Sequence, residues 1–599
     1  MSQETIKEQP QSKYYRTKPV RHFDLNQTLY ATVFEQNKNN MDADAIGFLG
    51  KNITFRELKK NVDCLADAYI KLGVKEGNTV GICTINMPIV QENLLALSKI
   101  GVISKWIDLR IKSKDLVKNI NESQCHVLVV FEGIIDSIME VIDETEVCKI
   151  IVASPKDYLN PVVRILAKVK DKKDGKRINI PKDKRIMLYK HFLKSGDSNS
   201  QIKPVSLKKD APAIIVQSSG STGKAKSIIH TEYNFNSSMQ KEAYTDLQFE
   251  VGKSMYVAIP PFIIYGLNNS IYAALAFGMK AEMTPFVSET TIFDDLGKYD
   301  FACAAPLHYR YLYNRICELK EKMSEIQENT IVQDGELKKL ILRLNQTVKK
   351  MSRVKAFVCG GDKITAQEIL SMEHIFGIPI INGYGNNELT GAAIISPVYA
   401  NKPDSVGIPM KGVTIRSFEP DTCIQLENSE EGEICICSDS VFIGYLNDEV
   451  ETKRIKQIHD DGLEWIHTGD LGYVDEDGYV YITGRAKRLI KREAFKIAPE
   501  TIENVILEME VVKDCVVVGV PDVEHEGSCV PMAYVELLVG FSDETVDIKT
   551  MIEQKCKKDL PDYEIPKYIE IIDKIPYKNT KHDFKQLEAM GEKYVKRFL

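Results

Sequence analysis

The chain has 599 residues, 44% hydrophobic and 27% charged, a balance that supports several folded units and excludes wholesale disorder. Its 78 basic and 85 acidic side chains leave a formal net charge of -7, so no global positive field exists to hold a nucleic-acid backbone, and no nucleic-acid partner is expected. The 13 cysteines lack the Cys-x-x-Cys pairs and neighbouring histidines of a zinc site; the polar opening MSQETIKEQPQSKYYRTKP is no signal peptide, and with no apolar run of about 18 residues the expectation is a cytoplasmic protein without a transmembrane segment.

Residues 44–104 read as strand, helix, strand, helix. AIGFL is a short apolar run, Thr54 precedes FRELKKNVDCLADAYIKLGV with apolar positions at helical spacing, VGICTI is a buried strand, and PIVQENLLALSKIGV is a second helix. HVLVVF and KIIVAS continue the rhythm of an α/β fold with parallel strands. Residues 155–205 break it with a basic, proline-punctuated insertion that carries a short amphipathic helix near its start; it reads as a solvated surface excursion. The polar stretch 318–351 is patterned as two surface helices joined near Asp334-Gly335. In GEICIC, Cys435 and Cys437 alternate with Ile434 and Ile436, as two residues on one face of a strand do. WIHTGDLGYVDEDGYVYITG alternates about an Asp-Gly turn, the pattern of a hairpin. It ends at Gly484, where the boundary is placed: a large body over 1–483, and over 484–599 a small domain with its own helix, the strands CVVVGV and PMAYVEL, and a lysine-rich end.

The strongest local chemical signal lies at 214–231, where the apolar IIVQ runs into Ser218, Ser219, Gly220, Ser221, Thr222, Gly223 and Lys224, followed by Lys226. Glycines let backbone amides close around phosphate oxygens, hydroxyls add donors, and lysine supplies charge. The stretch is not a Walker A loop, whose Gly-x-x-x-x-Gly-Lys spacing requires glycine at position 218. Alone, it also fits a flexible turn.

Three further segments follow in order: NGYGNNE (382–388), HTGDLG (467–472) and GRAKRLIKREAFKIAPETIE (484–503). Together with the Ser/Gly-rich loop they make the chain, from about residue 30 to 590, resemble the superfamily of adenylate-forming (AMP-binding) enzymes: acyl- and aryl-CoA ligases, luciferases and peptide-synthetase adenylation domains. The resemblance implies an α/β fold with a large N-terminal body of mixed sheets and helices and a small mobile α+β C-terminal domain. It also implies a chemistry, in which a carboxylic acid is joined to AMP from ATP and the acyl group is then passed to a thiol, CoA or the phosphopantetheine of an acyl carrier protein.

The same resemblance implies roles. Lys226 and the hydroxyls of Ser219, Ser221 and Thr222 would hold the β- and γ-phosphates, and Glu388 would ligate Mg2+. Tyr384 would stack on adenine beside Gly360 and Gly361, and Asp470, backed by Arg485, would take the ribose hydroxyls. Lys581 would bridge the α-phosphate and the attacking carboxylate if a glycine is deleted between Thr580 and Lys581, with Lys578 and Lys585 as fallbacks. Lys487, two residues after the hinge arginine, would be the pivot of the small domain, and lysine there leans toward a CoA ligase. Phe262, Ile263, Tyr265 and Gly266 in IPPFIIYGLNN would line the acid pocket, favouring an apolar or aromatic acid. Departures from the family pattern are Ala225 for proline, Ser227 for glycine, Asn387 for a threonine that donates to the α-phosphate, and Ala494 for a glycine beside the pantetheine tunnel. They leave two other readings in view, a stand-alone adenylation enzyme that loads a carrier protein and a catalytically lapsed nucleotide-binding homologue.

Overall fold

The computed structural model describes the chain except residues 1–9, 112, 160–177, 219–225, 329–350, 421, 493–494, 526–527, 539–540, 542–546, 579–580 and 598–599. Most of the expected phosphate loop, Ala494, the helix expected early in the basic insertion and the second helix expected in 318–351 lie outside the described residues. The described chain forms two compact units, 1–414 with 437–456, and 415–436 with 457–599.

In the first unit, the expected alternation is present. Thr54 caps the helix Phe55–Lys71 through a reciprocal pair with Glu57, and Phe55, Leu58, Val62, Leu65, Ala66 and Tyr69 recur on its buried face. Strands Thr79–Cys83, Cys125–Phe131 and Lys149–Ala153 lie side by side in an eight-stranded sheet whose order is 444–445, 227–230, 214–217, 103–106, 79–83, 125–131, 149–153, 186–188. Its pairings are parallel except where 227–230 meets 214–217 and 444–445. The Ser/Gly-rich stretch therefore joins two antiparallel neighbours rather than a strand to a crossover helix. A nine-stranded sheet runs 408–409, 391–395, 380–386, 356–360, 301–304, 254–257, 280–283, 44–48, 51–54. Tyr309, Leu312, Ile316, Ile369, Met372 and Phe376 of helices Pro306–Glu328 and Ala366–Phe376 pack on Phe357, Cys359 and Ile380 of this sheet. Burial of each such large side chain contributes about 1.5–3 kcal/mol.

In the second unit, Glu464–Val474 and Val480–Arg485 form the expected hairpin, turning at Gly478 with φ +87°. Strand Val512–Pro521 pairs antiparallel with Cys529–Leu537, which also pairs with Tyr568–Ile571. Alternate residues feed two cores: Cys515, Val517, Ala533 and Val535 with helices Pro499–Leu507 and Ile548–Asp559, and Val516, Val518, Met532 and Tyr534 with helix Phe584–Val595. The expected boundary at 484 does not coincide with the edge of this unit, because the strands 414–418, 432–437, 456–458 and 464–485 form a sheet of their own that groups largely with the C-terminal residues.

Candidate active site

The base of the Ser/Gly-rich stretch is closed by its own first and last described residues. Ser218 N–H donates to the Lys226 carbonyl at 2.9 Å, and Lys226 N–H donates to Ser218 Oγ at 2.9 Å. Beneath it, the buried Lys105 donates to Ser227 Oγ at 2.5 Å, and burial pushes its pKa down to about 8. Ser227, which departs from the family's glycine, thus accepts a hydrogen bond from a buried lysine.

Lys226 and Glu388 meet on one tyrosine. The Lys226 ammonium stands 4.8 Å from the centre of the Tyr445 ring, and the Tyr445 hydroxyl donates to Glu388 Oε1 at 2.8 Å. Burial, and then the neighbouring Glu388 carboxylate, hold the Tyr445 pKa far above its ordinary value, so the phenol keeps its proton. Lys226 also pairs with Glu451 Oε1 at 2.5 Å, and Arg454 contacts both oxygens of Glu451 at 2.6 and 2.8 Å. Hydrogen bonding from Arg454, then from Lys226, brings the Glu451 pKa down to about 2 against the effect of burial.

Glu388 owes its position to the strand Ile380–Asn386 and the short turn Asn387–Leu389. The strand shifts register between Tyr384 and Gly385, and a Cβ on Gly385 would come 1.9 Å from the Gly391 carbonyl, so the motif requires glycine there. Asn386 Oδ1 accepts from Leu389 N–H at 3.0 Å, and the Glu388 carbonyl accepts from Phe442 N–H at 2.8 Å. Thr390, at φ +59°, donates its hydroxyl proton to the Ser440 carbonyl and therefore accepts from His230 Nδ1–H at 3.0 Å. His230 is buried and neutral, its pKa lowered to about 3 by burial. The Asn387 amide donates to the Gln217 carbonyl at 3.0 Å and accepts from Ile264 N–H at 3.3 Å. It ties the strand entering the Ser/Gly-rich stretch to the segment expected to line the acid pocket.

That segment leads into a π-helix, Tyr265–Tyr272, an irregularity that recurs at functional sites. Phe262 is buried with the Arg110 guanidinium 5.1 Å from its ring centre. Tyr265 donates to the Val358 carbonyl at 3.0 Å, and its ring lies 3.9 Å from where a Cβ on Gly360 or Gly361 would stand. Gly266 has no room for a side chain, since a Cβ would meet the Pro260 carbonyl at 2.4 Å, and Ile263 is half-buried. Tyr384 and Gly360 sit on paired strands, with Gly360 opposite Gly383 and Tyr384 opposite Ile394, and Gly361 follows the end of strand Ala356–Gly360 at φ +86°. The first unit thus brings together Lys226, Asn387, Glu388 and the pocket segment.

In the second unit, Asp470 and Arg485 are cross-strand partners, with Nε and Oδ1 2.9 Å apart, and Asp470 is 5% exposed. Lys487 lies in the short turn Ala486–Arg488. Its neighbour Arg488 pairs with Glu500 and Glu503, each at 2.6 Å. The backbone of Lys581 pairs with that of Lys578, its first fallback, in a small hairpin. Lys585 lies in the helix that follows.

Sequence reasoning missed Tyr445, Glu451 and Lys105. No local pattern marks a tyrosine in FIGYLND or a lysine in ISKW as part of a site, because their partners lie 57 and 122 residues away. Only the acidic first turn before Lys453 and Arg454 gave a signal, and that reads as ordinary helix-end charge.

An AMP-binding enzyme family model matches residues 33–446, and the AMP-binding enzyme C-terminal domain matches residues 501–581. The chain belongs to the AMP-binding enzyme family and is an acid-thiol ligase of the adenylate-forming type. It is 24% identical over 559 residues to a long-chain-fatty-acid–CoA ligase of Bacillus subtilis (strain 168), covering 92% of each chain. It is 26% identical over 479 residues to a probable 4-coumarate–CoA ligase 2 of Dictyostelium discoideum, covering 78% of this chain and 79% of that one. Among solved structures it shares the fold of an anthranilate CoA ligase in complex with anthranoyl-AMP, with a TM-score of 0.78, 17% identity, and coverage of 96% and 99% of the two chains. It likewise shares that of a benzoate CoA ligase from Burkholderia xenovorans LB400, with a TM-score of 0.74, 17% identity and coverage of 94% and 99%. Among the described residues, no helix is long and apolar enough to cross a membrane.

Proposed function

We propose that this enzyme activates an apolar or aromatic carboxylic acid as its acyl-adenylate and transfers the acyl group to CoA. The observation that carries the reading is the meeting of Lys226 and Glu388 on Tyr445 beside the base of the Ser/Gly-rich stretch, a cation and a carboxylate held where a polyphosphate and its metal ion need both. A carboxylate oxygen of the acid attacks the α-phosphorus of ATP, the bond to the β-phosphate oxygen breaks, and pyrophosphate leaves. Lys226 and the stretch from Ser218 through Gly223 hold the β- and γ-phosphates, and Lys581 offsets the repulsion between the two reacting anions. Glu388, oriented by Tyr445, offers hard oxygen to Mg2+, which when bound neutralises charge on the phosphate oxygens. Asp470 and Arg485 take the ribose hydroxyls, and Tyr384 stacks on adenine beside Gly360 and Gly361. In the second step the thiol sulfur attacks the acyl carbon, the bond to the AMP oxygen breaks, and AMP leaves. The moving piece is 484–599, pivoting at Lys487.

The apolar character of Phe262, Ile263 and Tyr265 beside Gly266, the residues expected to line the acid pocket, supports the acid class, and relatives named as long-chain-fatty-acid and 4-coumarate CoA ligases agree with it. With such an acid, ATP and CoA, the expected products are AMP and the acyl-CoA in equal amounts. An enzyme that makes the adenylate and loads a phosphopantetheine-bearing carrier protein, yet yields no acyl-CoA, would overturn the CoA assignment; Ala494, beside the expected pantetheine path, is the residue that motivates this alternative.

Glu451 competes with phosphate for Lys226. Glu451→Gln is therefore expected to lower KM for ATP by about two- to five-fold, the size of a partly exposed ion pair. A raised KM would show instead that Glu451 orients Lys226 for the nucleotide.

A further inference from the structure

The Thr468-Gly469-Asp470 segment is a bulge. Glu433 lies opposite Leu471 and Cys435 opposite His467, so Ile434 alone faces three residues, and Gly469 takes φ +73°. Such a bulge re-aims a side chain only if something holds it, and the structure supplies the holder from the neighbouring strand. Glu433 Oε1 accepts from Gly469 N–H at 2.9 Å, and Oε2 accepts from His467 Nδ1–H at 2.9 Å. Thr468 Oγ1 donates to the Ile434 carbonyl at 2.6 Å and accepts from Asp470 N–H at 3.1 Å. His467 Nε2 faces His459 Nε2 at 3.0 Å. Glu433, His467 and His459 are 8%, 5% and 6% exposed, so water does not compete for these bonds. Ligand-type atoms of Glu433, Cys435 and His467 lie within 4.8 Å of one another, but both carboxylate oxygens already have donors; the outermost nitrogen of the brace, His459 Nδ1, has no partner among the described residues.

We infer that Glu433 and His467 are positioning residues for nucleotide recognition, holding the bulge in the shape that presents Asp470 to the ribose hydroxyls. The inference rests on the proposed role of Asp470. A carboxylate fixed by two donors keeps the Gly469 amide and the His467 ring in one arrangement, and Asp470, paired with Arg485, inherits its aim from that turn.

The test compares binding of Mg-ATP and Mg-2′,3′-dideoxy-ATP to the full-length enzyme by titration calorimetry. The wild type is expected to prefer ATP by about 10-fold or more, as loss of hydrogen bonds to a charged group implies. Asp470→Ala removes that preference. Glu433→Ala and His467→Ala remove most of it, whereas His467→Asn, whose amide nitrogen can stand where Nδ1 stands, keeps it. Should Glu433→Ala fail to fold, the His467 pair carries the test alone. If Asp470→Ala loses the preference while the Glu433 and His467 alanine variants keep it, weakening both nucleotides equally, the brace is merely structural and the inference is overturned. If Asp470→Ala itself keeps the preference, the ribose assignment fails first, a result distinguishable from the former.

Discussion

Lys581→Ala is expected to reduce adenylate formation by about 100- to 1,000-fold, while a presynthesised acyl-adenylate still reacts with CoA at close to the wild-type rate. A lysine that bridges phosphate and carboxylate acts only while the two anions meet; once the acyl-adenylate exists, that repulsion is gone. Lys581 begins the second arm of a hairpin, Tyr577–Lys578 against Lys581–His582, which is fastened to the three-stranded sheet through Asp514. His582 Nε2 lies 2.9 Å from Asp514 Oδ2, and the Tyr577 hydroxyl donates to the same oxygen at 2.7 Å. Burial works to raise the Asp514 pKa, but His582 and Tyr577 bring it below the usual carboxylate value, so the anchor is an ionised carboxylate. Lys581 is thus next in the chain to a residue anchored on that sheet, which suits the proposed bridging role. Because Lys578 is its direct cross-strand partner, Lys578→Ala is the decisive comparison. If that variant shows the split phenotype and Lys581→Ala does not, the reading with a deleted glycine is wrong.

Lys226→Ala and Glu388→Gln are each expected to slow adenylate formation by about 10- to 1,000-fold, the loss typical of one charge-stabilising group. The two act through different atoms of one cluster. Lys226→Ala removes the only cation besides Arg454 that the described residues pair with Glu451, and leaves an acidic side chain beside the proposed phosphate site. Glu388→Gln keeps the volume and an acceptor for the Tyr445 hydroxyl but lowers the charge available to a hard cation, so its defect is expected to shrink as Mg2+ is raised. Wild-type rates of acid-dependent pyrophosphate exchange in both variants would remove the phosphate assignment.

Much of the framework was legible because it depends on local patterns. Thr54 marks a helix start, the Asp-Gly turn marks the hairpin at 464–485, and the apolar runs CVVVGV and PMAYVEL mark two strands, which the structure pairs and buries on both faces. What the sequence withheld depends on register and long-range pairing. The Thr-Gly-Asp motif looks like a turn, and its nature as a bulge pinned by Glu433 appears only once strand 432–437 is laid beside it. Asn387 reads as a phosphate donor by resemblance, yet its amide spans Gln217 and Ile264, a link no spacing rule reveals. Lys226 reads as a lone cation for phosphate, yet Glu451 already pairs with it. The change of pattern at Gly484 carries no sign that the strands before it group by contacts with the C-terminal residues.

The central claim, that this chain joins a carboxylic acid to AMP, is tested most directly by isotope exchange between pyrophosphate and ATP across a panel of aromatic, long-chain and short-chain acids without any thiol. Exchange that depends on an apolar or aromatic acid, requires Mg2+ and is lost in Lys226→Ala is the predicted result. No exchange with any acid, from an enzyme that still binds ATP, would contradict it and favour a nucleotide-binding homologue that has lost the chemistry.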